Sequence, residues 1–437
     1  MIEKYGVIEG FYGIPWTFDE RVSMINFLKD VGMNQYVYAP KDDPYHNIRW
    51  REPYPKQKLE ELSELSRLSE ENGIDFVWAI HPGQNLIDFS KYEEEVQRLF
   101  AKYDSLRVAG VKSFALCMDD VDKKKAYEQR DFHLRLVKDI LKYLESFSNK
   151  NLLFVHPWYN DSWLDEDGRK YFELFRGIDN LSVMWTGRDV LSPISEESNR
   201  GFYEIYGKEA DIWFNWPVND YKNDRIFMEV FEFYTSRRIN YKSLLSNPMN
   251  QAELSKLSIY QIAEFVKNPQ VYKPLDAFKK ALAYLDEDVW ESLYIISDSF
   301  FQSGIYDKVD EKEFLEDYEI NLAYQKKAYK DLVRLINRKL DALDKYFANY
   351  TNVSLNKEVE PFFRSLQYLL RAVRSLILKD RQQAVDYYKK SNQEKVPIYK
   401  ESSPTKLEEI PVKTSRVLEK IYKDLLEEED ICTDQLN

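Results

Sequence analysis

Asp119 and Asp120 stand side by side directly after SFALCM (113–118), a run apolar enough to be a buried strand. Two carboxylates this close resist simultaneous ionisation, so one pKa should rise and that group can serve as a general acid near neutrality. A solvated loop or a helix N-cap pair is the competing reading. Hydrolysis of a glycosidic bond needs an acid that protonates the leaving oxygen and a second group that attacks or stabilises the anomeric centre; the two standard mechanisms keep these carboxyl groups about 5 Å or more apart. Neighbouring acids on one loop are poorly placed to flank a sugar in that way. They fit better a mechanism whose nucleophile is the substrate's own 2-acetamido group, one aspartate orienting the acetamide N–H and the other handling the glycosidic oxygen.

Other segments carry groups suited to a sugar. GVIEGFYGIPWTFDER (6–21) holds Gly6, Gly10 and Gly13 around a strand end. Glycine there lets the backbone approach a ligand, and Gly10 can offer a main-chain carbonyl to a hydroxyl; a tight strand-to-loop bend explains the glycines equally well. The spacing lacks the G-x-G of a nucleotide fingerprint. In YAPKDDPYHNIRWREPYP (38–55), Lys41 is a donor to sugar hydroxyls, while Asp42, Asp43 and the surrounding charges read as an ion-pair network that holds the loop. Tyr159, Trp213, Asn215, Asp220, Tyr221 and Asn247 follow later strands. Amides and carboxylates pair with vicinal hydroxyls, and aromatic faces pack on the apolar face of a pyranose. His81 and His156 each precede a proline without an obvious partner and read as structural.

Composition narrows the field. A formal charge of −13 over 437 residues argues against a nucleic-acid partner, which needs a basic surface. Cys117 and Cys432 are the only cysteines, and the four histidines show no H-x-x-H or H-E-x-x-H spacing, so a metal site and a disulfide framework are not expected. No cofactor is implied. There is no 18-residue apolar run, and the first residues have neither a basic region nor an apolar one ahead of a cleavage site. The chain as given reads as soluble, without a membrane partner, and cytoplasmic.

The elements that must position these groups follow from pattern. Strand readings are 5–10, 35–40, 75–80, 113–118, 151–157, 181–187, 211–215 and 243–248, with helical readings between them at Asp19–Val31, Lys56–Asn72, Tyr92–Val108, Tyr127–Glu145 and Ala252–Val266. About eight strands interleaved with helices over some 250 residues is the signature of a (β/α)8 barrel, with an open doubly wound sheet as the alternative. A barrel should collect functional residues at the C-terminal strand ends. Those ends carry Glu9–Gly10, Lys41–Asp42–Asp43, His81, Asp119–Asp120, Tyr159, Thr186, Asn215 with Asp220, and Asn247. Beyond about Pro269 the chain turns to long amphipathic stretches, Glu311–Asn349 and Val359–Asn392, broken by Thr351–Lys357 and by the proline-containing Val396–Pro411. Twelve of the 13 glycines lie at or before Gly207, in keeping with this division. The fold class is therefore α/β, a TIM-like catalytic barrel over 1–268 followed by an all-α helical bundle over 269–437. The bundle either shapes the leaving-group side of the cleft or forms a homodimer.

Taken in order, EGFYGxPWT, YAPKDDPYH…WREPYP, FALCMDD, WTG, NDY and SNPMNQAE resemble glycoside hydrolase family 84 over residues 4–265. The resemblance implies a retaining, exo-acting β-N-acetylglucosaminidase working through an oxazoline intermediate, with Asp119 polarising the acetamide and Asp120 as general acid/base. It further implies that Gly10 and Lys41 bind ring hydroxyls, Asp220 and Asn247 hold the far side of the sugar, and Tyr159 contacts the acetamide oxygen. Asn215 matches the family's asparagine before NDY, Trp213 a pocket wall, and Thr186 and Val190 the surroundings of the acetamide methyl. The implied partner is a GlcNAc-bearing glycoside or glycoprotein. Two departures bear on the rim: His81–Pro82–Gly83 stands where the family often has Ser-Pro-Gly, and Ile14 where it usually has a basic or polar residue. A hyaluronidase-like enzyme acting on glycans and a non-catalytic glycan- or protein-binding module are the rival readings.

Overall fold

The strands β1 (Lys4–Glu9), β2 (Gln35–Tyr38), β3 (Asp75–Ile80), β4 (Ser113–Cys117), β5 (Leu152–Val155), β6 (Leu181–Trp185), β7 (Ala210–Phe214) and β8 (Tyr241–Ser246) pair in chain order as a closed parallel barrel. β8 returns to β1, with Lys4 opposite Ser243 and Val7 opposite Ser246. The computed structural model describes residues 3–428 apart from 84–85, 148, 235–240, 311 and 401–402. Two compact units emerge: 1–218 with 233–252 and 262–272, and 219–232 with 253–261 and 273 onward.

The strands are buried on both faces, which is why they read as apolar runs without polar alternation. On β4, Ala115 and Cys117 point into the barrel with Val37, Val77, Ala79, Leu153, Val155 and Met184. Phe114 points outward and packs on Tyr103 with ring centroids 4.4 Å apart, and Trp78 of β3 meets the same ring edge-on. Each fully buried side chain of this size is worth roughly 1.5–3 kcal/mol, so the pattern locks strand register against the surrounding helices.

Those helices are α1 (Phe18–Asp30), α2 (Lys56–Glu71), α3 (Tyr92–Val108), α4 (Lys123–Glu128), α5 (Arg130–Leu144), α6 (Glu166–Glu173), α7 (Arg200–Tyr206) and α8 (Ala252–Lys267). α1 opens with a capping box in which Thr17 and Glu20 satisfy each other's backbone N–H groups. The helix expected over Tyr127–Glu145 is two helices, because Asp122 caps an earlier start through the Lys125 N–H at 2.8 Å and Gln129 leaves helical geometry between them.

The second unit holds α9 (Pro274–Leu285), α10 (Trp290–Ser297), α11 (Tyr318–Gln325), α12 (Tyr329–Asn349), α13 (Val353–Ile377), α14 (Arg381–Ser391) and α15 (Arg416–Glu427). Thr351–Lys357, expected to be a break, is mostly helix: Asp286 accepts the N–H groups of Thr351 and Asn352 at 2.8 Å each, Asn352 caps Leu355, and α13 restarts after three residues. The other two stretches each contain a reversal at a residue with positive φ, Lys327 and Lys379. Val396–Pro411 was expected only as an interruption. It forms the antiparallel ribbon β9 (Lys395–Lys400) and β10 (Ser403–Pro411), where the period-two burial of Lys395, Val396 and Pro397 matches a strand and Val396 faces Ile410.

Candidate active site

The C-terminal end of the barrel gathers the first unit's candidates. Asp119 and Asp120 leave β4 in different directions because Asp120 takes a left-handed backbone, φ 55, that an aspartate tolerates better than most residues. Asp119 is buried and Asp120 exposed. The neighbours therefore share a loop and not an environment.

Lys41, at the end of β2, donates from Nζ to Asp119 Oδ2 at 2.5 Å. His81, at the end of β3, has Nδ1 3.3 Å from the same Nζ, and its Nε2 is 3.1 Å from the Asp119 carbonyl oxygen and 3.4 Å from Oδ1. Burial alone would push the Asp119 carboxyl up; attraction to His81 and Lys41, with the Lys41 hydrogen bond, outweighs it and holds the group at about 2. Adjacency to Asp120 suggests a raised pKa, and for Asp119 the opposite holds. Burial pushes the His81 imidazole below its ordinary value even against the pull of Asp119, so at neutral pH Lys41 supplies the full positive charge. Burial also opposes the Lys41 ammonium, and Asp119 more than restores it. Asp119 Oδ1 is buried with no hydrogen-bond donor among the described residues.

Asp120 is gripped by two phenols: Tyr12 donates to Oδ2 at 2.7 Å and Tyr159 to Oδ1 at 3.1 Å. Burial, and then the two aspartates, push both phenols far above their ordinary value. Tyr159 O accepts the Thr186 N–H at 2.9 Å, and Thr186 Oγ1 donates to Asp189 O at 2.8 Å.

A second chain of hydrogen bonds crosses the end of the barrel. Asn247 Oδ1 accepts the Gly10 N–H at 3.2 Å, and Asn247 Nδ2 donates to Asn215 Oδ1 at 2.9 Å. Trp213 Nε1 also donates to Asn215 Oδ1, at 2.8 Å, and Asn215 Nδ2 donates to Val190 O at 2.8 Å. The Trp213 ring lies 5.6 Å from Lys41 Nζ, joining the two networks. A Cβ on Gly10 would sit 2.3 Å from that ring, so only glycine fits there. Asp220 begins a short 3-10 turn, Asp220–Lys222, in the second compact unit.

Asp42 and Asp43 hold the loop chiefly through uncharged donors. Asp43 Oδ2 accepts from Tyr38 and Tyr54 at 2.7 and 2.9 Å, and Asp42 Oδ2 accepts the Gly13 N–H at 2.7 Å. The ion pair Arg51–Glu95, 2.5 Å, ties the loop to α3. Glu9, at the end of β1, is occupied by Arg21 at 2.7 Å and Tyr36 at 2.5 Å. His156 sits among aromatic rings, 4.5 Å from that of Phe172, with Nδ1 accepting the Trp158 N–H at 3.2 Å.

Two residues of the cluster escaped the sequence reading. His81 was expected to lack a partner and instead bridges Lys41 and Asp119. Its position at a strand end was the available signal. Tyr12 lies two residues beyond Gly10, and its phenol reaches Asp120 across 108 residues. Among the described residues no group of His, Cys, Asp and Glu could hold a metal ion, and no helix is long and apolar enough to cross a membrane.

The sequence profile of the beta-N-acetylglucosaminidase family matches residues 5–298. The chain belongs to that family. Membership in glycoside hydrolase family 84 accords with the ordered motifs. The proteins named Protein O-GlcNAcase of Rattus norvegicus and Mus musculus are each 32% identical over 280 residues, 60% of this chain and 30% of theirs. The chain thus spans under a third of the length of these curated relatives. Among solved structures, CpGH84D superposes with a TM-score of 0.83 at 24% identity, covering 97% of this chain and 74% of that one. A Thermobaculum terrenum O-GlcNAc hydrolase variant superposes with a TM-score of 0.77 at 24% identity, covering 97% and 94%. At these identities the likeness is one of fold, and it places this β-N-acetylglucosaminidase family member on the same (β/α)8 scaffold with its helical continuation.

Proposed function

We propose that the protein is a retaining, exo-acting β-N-acetylglucosaminidase that removes terminal β-linked GlcNAc by substrate-assisted catalysis. The observation that carries the reading is the state of Asp119: its Oδ2 is paired with Lys41, while the buried Oδ1 meets no donor among the described residues. A buried, ionised carboxylate oxygen without a donor is costly, and an acetamide N–H would satisfy it.

In the first half-reaction the acetamide oxygen attacks C1, the C1–O bond to the leaving group breaks, and Asp120 transfers its proton to the departing oxygen. Asp119 holds the acetamide N–H and so balances the positive charge that grows on the forming oxazoline. In the second half-reaction water adds to C1, Asp120 takes its proton, and the electron pair returns to the acetamide. Asp120 stands at the open side of the barrel with two phenols fixing its orientation, a suitable position for proton exchange. Gly10, Lys41, Asp220 and Asn247 are the proposed contacts to ring hydroxyls, Tyr159 the contact to the acetamide oxygen, and Trp213, Asn215, Thr186 and Val190 the pocket wall. Residues 1–268 form the proposed catalytic domain and 269–437 the helical domain, which carries a proposed homodimer contact.

The relatives named Protein O-GlcNAcase favour GlcNAc on proteins as the substrate, with small GlcNAc β-glycosides as its soluble counterpart. A cytoplasmic location fits that substrate. The test is hydrolysis of an aryl β-GlcNAc glycoside by the protein and by Asp119→Asn and Asp120→Asn. Each variant should lose on the order of 10²-fold or more in kcat/KM, Asp120→Asn most with poor leaving groups. Full activity in the double variant would overturn the assignment.

A further inference from the structure

His81 is fully buried, and both of its ring nitrogens point at groups of the proposed site. Lys41 carries only donors, so Nδ1 of His81 must accept from it, which leaves the proton on Nε2. That proton points at the Asp119 backbone carbonyl, 3.1 Å away, and grazes Oδ1 at 3.4 Å. The same neutral ring thus touches the acid, its cation and the backbone between β4 and Asp120.

The ring is itself held. Its backbone N–H donates to His46 O at 2.9 Å, and the His46 ring, 5.9 Å away between centroids, is anchored by Nδ1 to Ala79 O at 2.6 Å. Two residues after His81, the backbone at Met118 comes so near Gly83 that a Cβ there would lie 2.8 Å from Met118 Cα.

We infer that His81 is a positioning residue for the acetamide-recognising carboxylate: its Nδ1 steers Lys41 onto Oδ2 and its Nε2–H fixes the backbone of Asp119, so that Oδ1 is the oxygen left for substrate. The inference rests on the proposed role of Asp119. A neutral ring suits this task because protonation would put an N–H on Nδ1, which could then no longer accept from Lys41. A second ammonium could not accept either. Histidine kept uncharged by burial steers the pair without adding to its charge.

The charged and titratable groups facing Asp119 are Lys41 and His46 from the loop after β2, His81 from β3, Cys117 and Asp120 on its own strand end, and, farther out, Tyr12 and Tyr159. His81 and Lys41, together with a hydrogen bond from its own backbone, favour its ionised form. Loss of His81 leaves Lys41 less directed, so Asp119 should take up a proton at a higher pH and activity should fail earlier on acidification.

The test compares His81→Leu, which has no polar side-chain atom, with His81→Gln, whose amide nitrogen can replace Nε2, on the full-length chain. Three readouts are taken: thermal melting, the pH dependence of kcat/KM on an aryl β-GlcNAc glycoside, and the titration of the Asp119 carboxyl by 13C NMR, assigned through Asp119→Asn. His81→Leu should lower kcat/KM by about 10- to 100-fold and raise both the acid limb and the Asp119 titration by about one pH unit or more. His81→Gln should recover most of both. If His81→Leu does not fold, His81→Met, which fills the space with no side-chain nitrogen or oxygen to accept from Lys41 or donate to Asp119, replaces it with the same expectation. An unchanged Asp119 titration in these variants overturns the inference, as does a fall in kcat/KM with the wild-type acid limb. Should the wild-type protein hydrolyse no GlcNAc glycoside, the proposed function fails, and the NMR titration still decides the role of His81.

Discussion

Lys41 and Lys339 are each buried against aspartate, and the acids they serve end in opposite electrostatic states. In the barrel, Lys41 serves Asp119 at 2.5 Å with His81 beside it, and Asp119 stays ionised down to about 2. In the helical unit, Lys339 is divided between Asp317, 2.6 Å away, and Asp298, with Ser299 Oγ at 2.8 Å. There burial pushes the half-buried Asp298 up to about 6, the nearby Asp317 raises it further, and Lys339 only partly offsets them. The difference lies in the second acid. Asp120 faces solvent and two phenols, whereas Asp317 is fully buried with one oxygen unpartnered among the described residues. One lysine balances one buried carboxylate; two leave an excess negative charge that a proton relieves.

The largest effect should come from unpairing the barrel cluster. Lys41→Met leaves Asp119 buried without its cation, and kcat/KM on an aryl β-GlcNAc glycoside should fall about 10³-fold as the carboxyl becomes protonated. A variant within tenfold of wild type would mean that Lys41 does not set the state of Asp119. In the helical unit, Lys339→Met should cost about 3–5 kcal/mol in stability by urea unfolding at pH 7.5, and less at pH 5, where Asp298 accepts a proton. Equal losses at both values would break the contrast between the clusters. The smallest effect should be that of Asp298→Asn. A carboxyl raised above its unfolded value contributes stability that is present at low pH and lost as pH rises through about 6. The melting temperature of the variant relative to wild type should therefore increase between pH 5 and pH 7.5, and a pH-independent difference would place the excess charge elsewhere.

How much could be read beforehand follows the range of the interactions involved. β3 and α3 coincide with their expected spans, Asp75–Ile80 and Tyr92–Val108, because a strand buried on both faces and a helix with one apolar stripe each announce themselves over a few turns or pleats. The break between α4 and α5 was hidden, since Gln129 carries no turn chemistry of its own and the cap at Asp122 decides the start. The ribbon of β9 and β10 was hidden for a related reason: Pro397 reads as an interruption, and only pairing of Val396 with Ile410 makes the segment a strand. In the site, Lys41 and the two aspartates were legible as charged groups stranded at apolar strand ends. The partners of His81 were hidden because each lies about 40 residues away along the chain, Lys41 in one direction and Asp119 in the other.

The sequence by itself determined the inventory and its order: which strand ends carry acids, amides, a lysine and aromatic rings, and the motifs that identify the family. It did so because side-chain period and local turn chemistry are encoded within a few residues. The difference in environment between Asp119 and Asp120 was decided only by tertiary structure. Two identical side chains on consecutive residues differ in burial and partners because β2 and β3 bring Lys41 and His81 to one of them, while β1 and β5 bring Tyr12 and Tyr159 to the other. Burial and charge at such a site depend on contacts across the closed barrel, and no local pattern records them.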